Sequence, residues 1–290
     1  MGCELCPRKC GVDRSVTTGF CGMGEGVRAA RAGLHFWEEP CISGKSGSGT
    51  VFFSGCTLRC VFCQNHDISA EGFGRDITDE RLSEIFLELQ QQGANNINLV
   101  SPTPYVPHII NALDMVKGKL TIPVVYNCGG YERVETLRML KGYVDIYLPD
   151  VKYYSDEAAR RLSSAPDYFE TAMAAVEEML SQTGEPLFEG ELLKRGTIIR
   201  HMVLPNLYKD SVEVINRVAE RFGNRILFSL MSQYTPFYKA KSDPKLNRRI
   251  TTFEYNKALE AVYSAELAGY MQQRSSAKEE YTPDFDLTGL

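Results

Sequence analysis

From about Thr50 onward, short β-type apolar runs alternate with amphipathic stretches, and this alternation constrains the fold more than any other feature. Six strand candidates stand out: Thr50–Ser54, Ile97–Ser101, Pro123–Asn127, Val144–Pro149, Thr197–Leu204 and Arg225–Met231. Most are runs of Val, Ile, Leu and Phe, the pattern of strands buried on both faces of a parallel sheet. Helix candidates lie between them. Asp79–Gln92 places Leu82, Ile85, Phe86 and Leu89 on one face, and Pro107–Lys117, Glu132–Leu140, Asp210–Phe222 and Thr252–Leu267 read similarly. The longer interval from Asp150 to Gly196 carries two more, Ser155–Leu162 and Tyr168–Gln182. Six strand–helix units predict a parallel α/β fold. Six fit an incomplete barrel better than an eight-stranded one, although pattern alone also accommodates a doubly wound sheet. Either architecture places ligands at the C-terminal ends of the strands.

Residues 1–48 differ in kind: they are rich in Cys, Gly and Arg and have little periodicity. We expect a Cys-rich metal-binding extension at 1–48, the barrel at 49–271 and a polar tail, poorly ordered or wrapping the surface, at 272–290. The net charge of −5 argues against a broad basic surface for nucleic acid. No window offers the roughly 20 apolar residues that span a bilayer, and the N-terminus lacks the apolar run of a signal peptide. The expectation is a cytosolic (cytoplasmic) protein without a membrane partner. In that compartment, clustered cysteines point to metal rather than disulfides, and eight of the nine cysteines precede residue 64.

Three of them form Cys56-Thr57-Leu58-Arg59-Cys60-Val61-Phe62-Cys63, a C-x3-C-x2-C spacing just past the first strand. Three thiolates can hold three irons of a cubane and leave the fourth iron open. A structural zinc, or an electron-transfer cluster with a borrowed fourth ligand, is the competing reading. Cys3, Cys6, Cys10 and Cys21 form a second set among turn-forming Pro7, Gly11, Gly19 and Gly22. Four soft ligands there suit tetrahedral zinc or an auxiliary iron–sulfur cluster. Cys41 is a fifth nearby thiol able to replace one of them, and free thiols on a loose segment are the alternative.

The triad, with aromatic Phe62 before its third cysteine, resembles the radical S-adenosylmethionine (SAM) superfamily. Within it, Glu38-Glu39-Pro40-Cys41-Ile42-Ser43-Gly44, Gly47 through Cys56, and Asn98-Leu99-Val100-Ser101-Pro102-Thr103 resemble the pyruvate formate-lyase-activating-like subgroup. The resemblance implies a partial (β/α)6 barrel and a [4Fe-4S] cluster on Cys56, Cys60 and Cys63 whose open iron binds SAM. It also implies reductive cleavage of SAM to a 5′-deoxyadenosyl radical that abstracts hydrogen from a substrate.

The usual Gly-Gly-Glu after the second strand is replaced by Leu99-Val100-Ser101-Pro102-Thr103, so Ser101 and Thr103 hydroxyls would have to meet SAM's amino group. A plain strand-terminating turn competes with that reading. Asn127-Cys128-Gly129-Gly130 ends the third strand: Asn127 and Gly129 are cofactor-contact candidates, and Cys128 is either a redox or hydrogen-donor thiol or a small filler. Asp150 and Lys152 share one face by their two-residue spacing, with Lys152 a candidate for SAM's carboxylate; a rim salt bridge is the plainer alternative. Arg200, facing inward, is a candidate for bidentate contact with that carboxylate, while His201 faces outward and reads as structural. Met231 to Tyr234 lie where adenine or substrate would sit.

Three functions remain in competition. One is activation of a glycyl radical enzyme, with a flavodoxin- or ferredoxin-type reductant. Another is radical modification of a small molecule, peptide or RNA. The third is a noncatalytic iron–sulfur or zinc protein.

Overall fold

The computed structural model describes residues 2–273 and 283–290. In chain order the elements are β1 (Val27–His35), α1 (Pro40–Ser43), β2 (Ser48–Phe53), α2 (His66–Ser69), β3 (Arg75–Ile77), α3 (Asp79–Gln91), β4 (Ile97–Val100), α4 (Val106–Met115), β5 (Val124–Cys128), α5 (Val134–Met139) and β6 (Ile146–Pro149). They continue with α6 (Asp156–Ser163), α7 (Tyr168–Thr183), β7 (Leu187–Glu189), β8 (Leu192–Met202), α8 (Tyr208–Phe222), β9 (Leu227–Met231), α9 (Thr252–Ser264) and β10 (Gly269–Met271).

The six expected strands are β2, β4, β5, β6, β8 and β9. They lie side by side in that order, and each neighbouring pair is parallel. This is the six-stranded parallel core of the expected partial barrel, and the doubly wound alternative falls away, because strand order follows chain order without a reversal. The edges are finished by β10 beside β9 and by antiparallel β1 beside β2, with β3 on β1. The cysteine-rich N-terminal segment therefore contains a strand, Val27–His35. Its Ala and Gly content hides it from a periodicity reading, and only pairing with the apolar β2 orders it (Gly33 opposite Thr50, His35 opposite Ser48). Part of the 272–290 tail lies outside the described residues. Its end returns to β1, where Leu287 N–H donates to Ala30 O at 3.0 Å and Ala32 N–H donates to Thr288 O at 2.9 Å.

Alternation along the strands divides the side chains. Val51, Phe53, Leu99 and Tyr126 point outward under α3 and α4, joining Leu82, Ile85, Phe86 and Leu89 in one buried cluster. Ile199, Phe228 and Leu230 point outward under α8 and α9. Each such burial stabilises the fold by about 1.5–3 kcal/mol per large side chain. Inward-facing Val125, Ile146, Leu148 and Ile198 pack with Cys41 and Ile42 of α1, which closes the lumen at the start of the strands. Thr78, Ser155 and Thr251 cap α3, α6 and α9 with their side chains, Thr251 within a full capping box with Glu254. Among the described residues, no helix is long and apolar enough to cross a membrane.

Candidate functional site

A cavity of about 190 Å³ opens at the C-terminal ends of the parallel strands. The loop after β2 brings Cys56, Cys60 and Cys63 to its wall, together with Phe62. Gly55 starts this loop at φ +79°, and a Cβ there would lie 2.3 Å from Met23 Cγ, so the turn out of β2 requires glycine. Burial pushes all three thiols up, Cys63 to about 11. A buried thiolate needs a compensating cation, and metal binding supplies one by releasing the proton. Donors are already aimed at the sulfurs. Leu58 N–H reaches Cys56 Sγ at 3.4 Å, Ser163 Oγ lies 3.0 Å from Cys60 Sγ, and Ser69 Oγ lies 3.2 Å from Cys63 Sγ. All nine cysteines are free.

Zn–S bonds of about 2.3 Å in a tetrahedron put sulfurs roughly 3.8 Å apart. Among the described residues, the single group of three candidate ligand atoms mutually within 4.8 Å is His66, Asp67 and Glu71, two of them exposed. Three half-buried thiols on a shared cavity wall fit a multi-iron cluster, in which each thiolate sits on its own iron.

The opposite wall carries Ser101, Asn127, Cys128, Gly129, Asp150, Lys152 and Arg200. Asp150 holds both cations: Lys152 Nζ donates to Oδ2, and Arg200 Nε donates to Oδ1 at 2.9 Å. Burial raises the Asp150 carboxyl, but Arg200 and Lys152 overcome it and hold it below the ordinary carboxylate range. Arg200 NH2 also donates to Asn127 Oδ1 at 2.6 Å, and NH1 donates to Glu38 Oε2 at 3.1 Å. Glu38 Oε1 accepts from Asn98 and Asn127 at 3.1 and 3.2 Å. All three guanidinium nitrogens thus already donate to protein oxygens. Arg200 lines the cavity as expected and neutralises Glu38 and Asp150 there, with two of its five N–H groups beyond these three bonds. Lys152, with one protein partner, keeps donors for a SAM carboxylate.

Ser101 lines the cavity at φ +58°, left-handed for a non-glycine residue. Thr103 does not join it. Its hydroxyl donates to Glu132 Oε1 at 2.8 Å, and it borders the N-terminal cysteines instead. The 3-10 turn after Pro102 rotates it outward, which the linear spacing could not reveal. Glu132, reached also by Tyr126 Oη at 3.2 Å, is a buried carboxyl raised by desolvation to about 7. Cys128 is buried at the same place, its thiol pushed well up by burial. Gly130 sits at φ +78°, and a Cβ there would lie 2.0 Å from Asp150 O, so it lets β5 and β6 end close together. His201 faces away from the cavity, with Nδ1 2.6 Å from Val151 O.

The second cysteine set surrounds a much smaller cavity. Cys3, Cys6, Cys10 and Cys21 border it, with Thr57 and Thr103 on the barrel side. Its hairpin-like loop is tied by Cys3 N–H to Val12 O at 2.8 Å and Gly11 N–H to Cys3 O at 3.0 Å. Arg8 lies over the Phe20 ring at 3.9 Å and donates through Nε to Thr57 O at 3.0 Å, next to Cys56. Cys41 is absent from this set: it is buried against Tyr270 at the other end of the lumen. Sequence reasoning also passed over Glu38, Glu39 and Glu132 as site residues. Adjacent acids before a proline carry no periodic signal, and only the cross-barrel partners expose their role.

The Radical SAM superfamily family model matches residues 50–219. An uncharacterized protein of Methanocaldococcus jannaschii is 34% identical over 268 residues, covering 89% of this chain and 73% of that protein. The pyruvate formate-lyase-activating enzyme of Listeria monocytogenes is 27% identical over 124 residues, covering 39% of this chain and 50% of that enzyme. Among solved structures, Streptococcus suis SuiB bound to S-adenosylmethionine superposes with a TM-score of 0.52 at 13% identity, covering 79% of this chain and 51% of that one. Methylornithine synthase (PylB) gives 0.50 at 13% identity, covering 74% and 63%. The chain thus spans about half the length of SuiB, and at these identities the likeness speaks for the fold alone. The family match covers more than half of the chain and includes the cysteine triad on β2's loop, so the chain belongs to the radical SAM superfamily.

Proposed function

We propose that the protein is a radical SAM enzyme whose [4Fe-4S] cluster is held by Cys56, Cys60 and Cys63. The observation that carries this is the convergence of three half-buried, free thiols with Lys152 and Asp150 on one cavity. When bound and reduced, the cluster and SAM would supply a 5′-deoxyadenosyl radical for hydrogen abstraction. The chain's own residues do the rest. Lys152 offers an ammonium to the SAM carboxylate, while Ser101, Asn127 and the Gly129 backbone offer polar contacts. Phe62, packed edge-on against Tyr234 at 6.0 Å, and Leu58 exclude water from the cluster side. Ser163 and Ser69 tune the cluster through its sulfurs.

Activation of a glycyl radical enzyme is supported by the Listeria match, over 39% of the chain. Modification of a small molecule or a peptide side chain is supported by the modest volume of the lumen, about 190 and 160 Å³ in its two compartments. A flavodoxin- or ferredoxin-type protein is the electron donor in either case. We also read Cys3, Cys6, Cys10 and Cys21 as a second metal centre. Its metal is zinc or an iron–sulfur cluster, and Arg8 and Thr57 link the loop directly to the segment holding Cys56.

The test is anaerobic reconstitution with iron and sulfide, reduction with dithionite, and addition of SAM. Formation of 5′-deoxyadenosine is expected, with about eight irons if both centres hold cubanes and about four plus zinc otherwise. An intact cluster that yields no 5′-deoxyadenosine, with candidate substrates also supplied, would return the protein to the electron-carrier reading.

A further inference from the structure

A second cavity, of about 160 Å³, continues the lumen on the side of the β1–β2 connection and β10. It shares Val100, Asn127, Arg200, Met231 and Gln233 with the first, so an occupant lies next to anything bound beside the cysteine triad. Its far wall is built differently. Glu38 and Glu39 enter from the β1–β2 connection, and His35, Trp37, Phe52 and Tyr270 line the same cavity. His35 and Phe52 meet edge to face at 5.8 Å.

The charges of the lumen do not close. Glu38 and Asp150 are matched by Arg200 and Lys152 through the contacts described above. Glu39 is left over. It is only 8% exposed, and its Oε2 is buried without a hydrogen-bond partner. A buried carboxyl oxygen without a hydrogen bond is destabilising, more so when ionised, unless a ligand satisfies it. Burial pushes this carboxyl up despite the pull of Arg200, so an incoming cation would be the group that holds it ionised. Aromatic faces around a carboxylate are the surroundings that a desolvated cation prefers.

We infer that this compartment is the substrate site and that it takes a substrate group carrying a positive charge, an alkylammonium or guanidinium, whose cation pairs with Glu39 while its carbon skeleton lies against Trp37, Phe52 and Tyr270 toward the SAM cavity. This rests on the radical SAM reading for the chemistry and on the Glu39 carboxyl for the charge. The ammonium can come from a small amine or from a basic side chain of a peptide.

Saturation-transfer NMR on the reconstituted protein, with SAM present, would compare phenethylamine, the blocked peptide acetyl-Gly-Lys-Gly-amide, and their uncharged counterparts 2-phenylethanol and acetyl-Gly-norleucyl-Gly-amide. At least one cationic probe is expected to bind tenfold or more tightly than its neutral counterpart. Whichever cation binds more tightly identifies the source, small amine or peptide. Glu39→Gln is expected to abolish the tenfold preference, with folding checked by iron content and circular dichroism. Equal binding of charged and neutral probes by the unmodified protein overturns the inference without recourse to any variant. So does a preference that survives in Glu39→Gln, or a Glu39→Gln protein whose main defect is a tenfold loss of SAM affinity. Formation of 5′-deoxyadenosine, measured on the same unmodified sample, reports separately on the radical SAM reading: its failure alongside a clear charge preference would sink the enzyme assignment and leave the cation site standing.

Discussion

Arg200 of β8 donates to Glu38, 162 residues earlier in the chain, at 3.1 Å inside the barrel. The contact joins the β1–β2 connection to the fifth parallel strand across the lumen and gives the cavity beside the cysteine triad a buried charge network. Removing one partner of a buried ion pair costs about 3–5 kcal/mol, because the other is left uncompensated. Arg200→Met is therefore expected to lower unfolding stability by that amount, since both Glu38 and Asp150 lose a cation. Adding Glu38→Gln should return part of the loss. Urea unfolding of the single and double variants checks this, and strict additivity would show that the two groups do not interact.

Cys60→Ala removes one of three thiolates and the sulfur that Ser163 contacts at 3.0 Å. Reconstituted iron at this centre should fall severalfold and 5′-deoxyadenosine formation should vanish. Unchanged activity would exclude Cys60 as a ligand.

Replacing Cys3, Cys6, Cys10 and Cys21 together by Ala should remove the second metal and leave the iron of the triad in place. Metal analysis and electron paramagnetic resonance of the reduced protein would read both. An unaltered metal inventory would show that the N-terminal centre does not exist.

Glu254 reports on acid stability away from either centre. Hydrogen bonds from Arg248, opposed by modest burial and reinforced by Thr251 and Asn206, lower its carboxyl from 4.5 to about 2. A depressed folded-state value means that the stabilisation is present above pH 4.5 and is withdrawn as the pH falls toward 2. Glu254→Gln should cost about 1–3 kcal/mol at neutral pH. Its deficit against the unmodified protein should shrink between pH 5 and pH 2, as followed by circular dichroism. A deficit independent of pH would assign the effect to packing.

Much of the fold is written in local pattern. The apolar runs at Ile97 and Pro123 and the Leu82, Ile85, Phe86, Leu89 stripe each announce their element, because burial on a strand or a helix face imposes a period that needs no knowledge of the partner. The observed ends differ from the expected ones by a few residues: β8 begins at Leu192 rather than Thr197, extended by its antiparallel pairing with β7. The triad was equally legible, since its spacing lies within a single loop. Cys128, Asn127 and Gly129 reach the cavity because they close a strand whose end was visible in the sequence.

What the sequence by itself determined is the parallel six-stranded core, the cysteine triad at its mouth, and the inward face of Asp150, Lys152 and Arg200. Only the tertiary structure decided that Val27–His35 is a strand, that Thr103 turns to Glu132, that Arg200 pairs with Glu38 and Asp150, and that one carboxyl oxygen of Glu39 is left without a hydrogen bond. The difference is physical. Periodic burial is a local property of a segment, whereas the state of a buried polar group depends on which distant group meets it, and no spacing along the chain encodes that encounter.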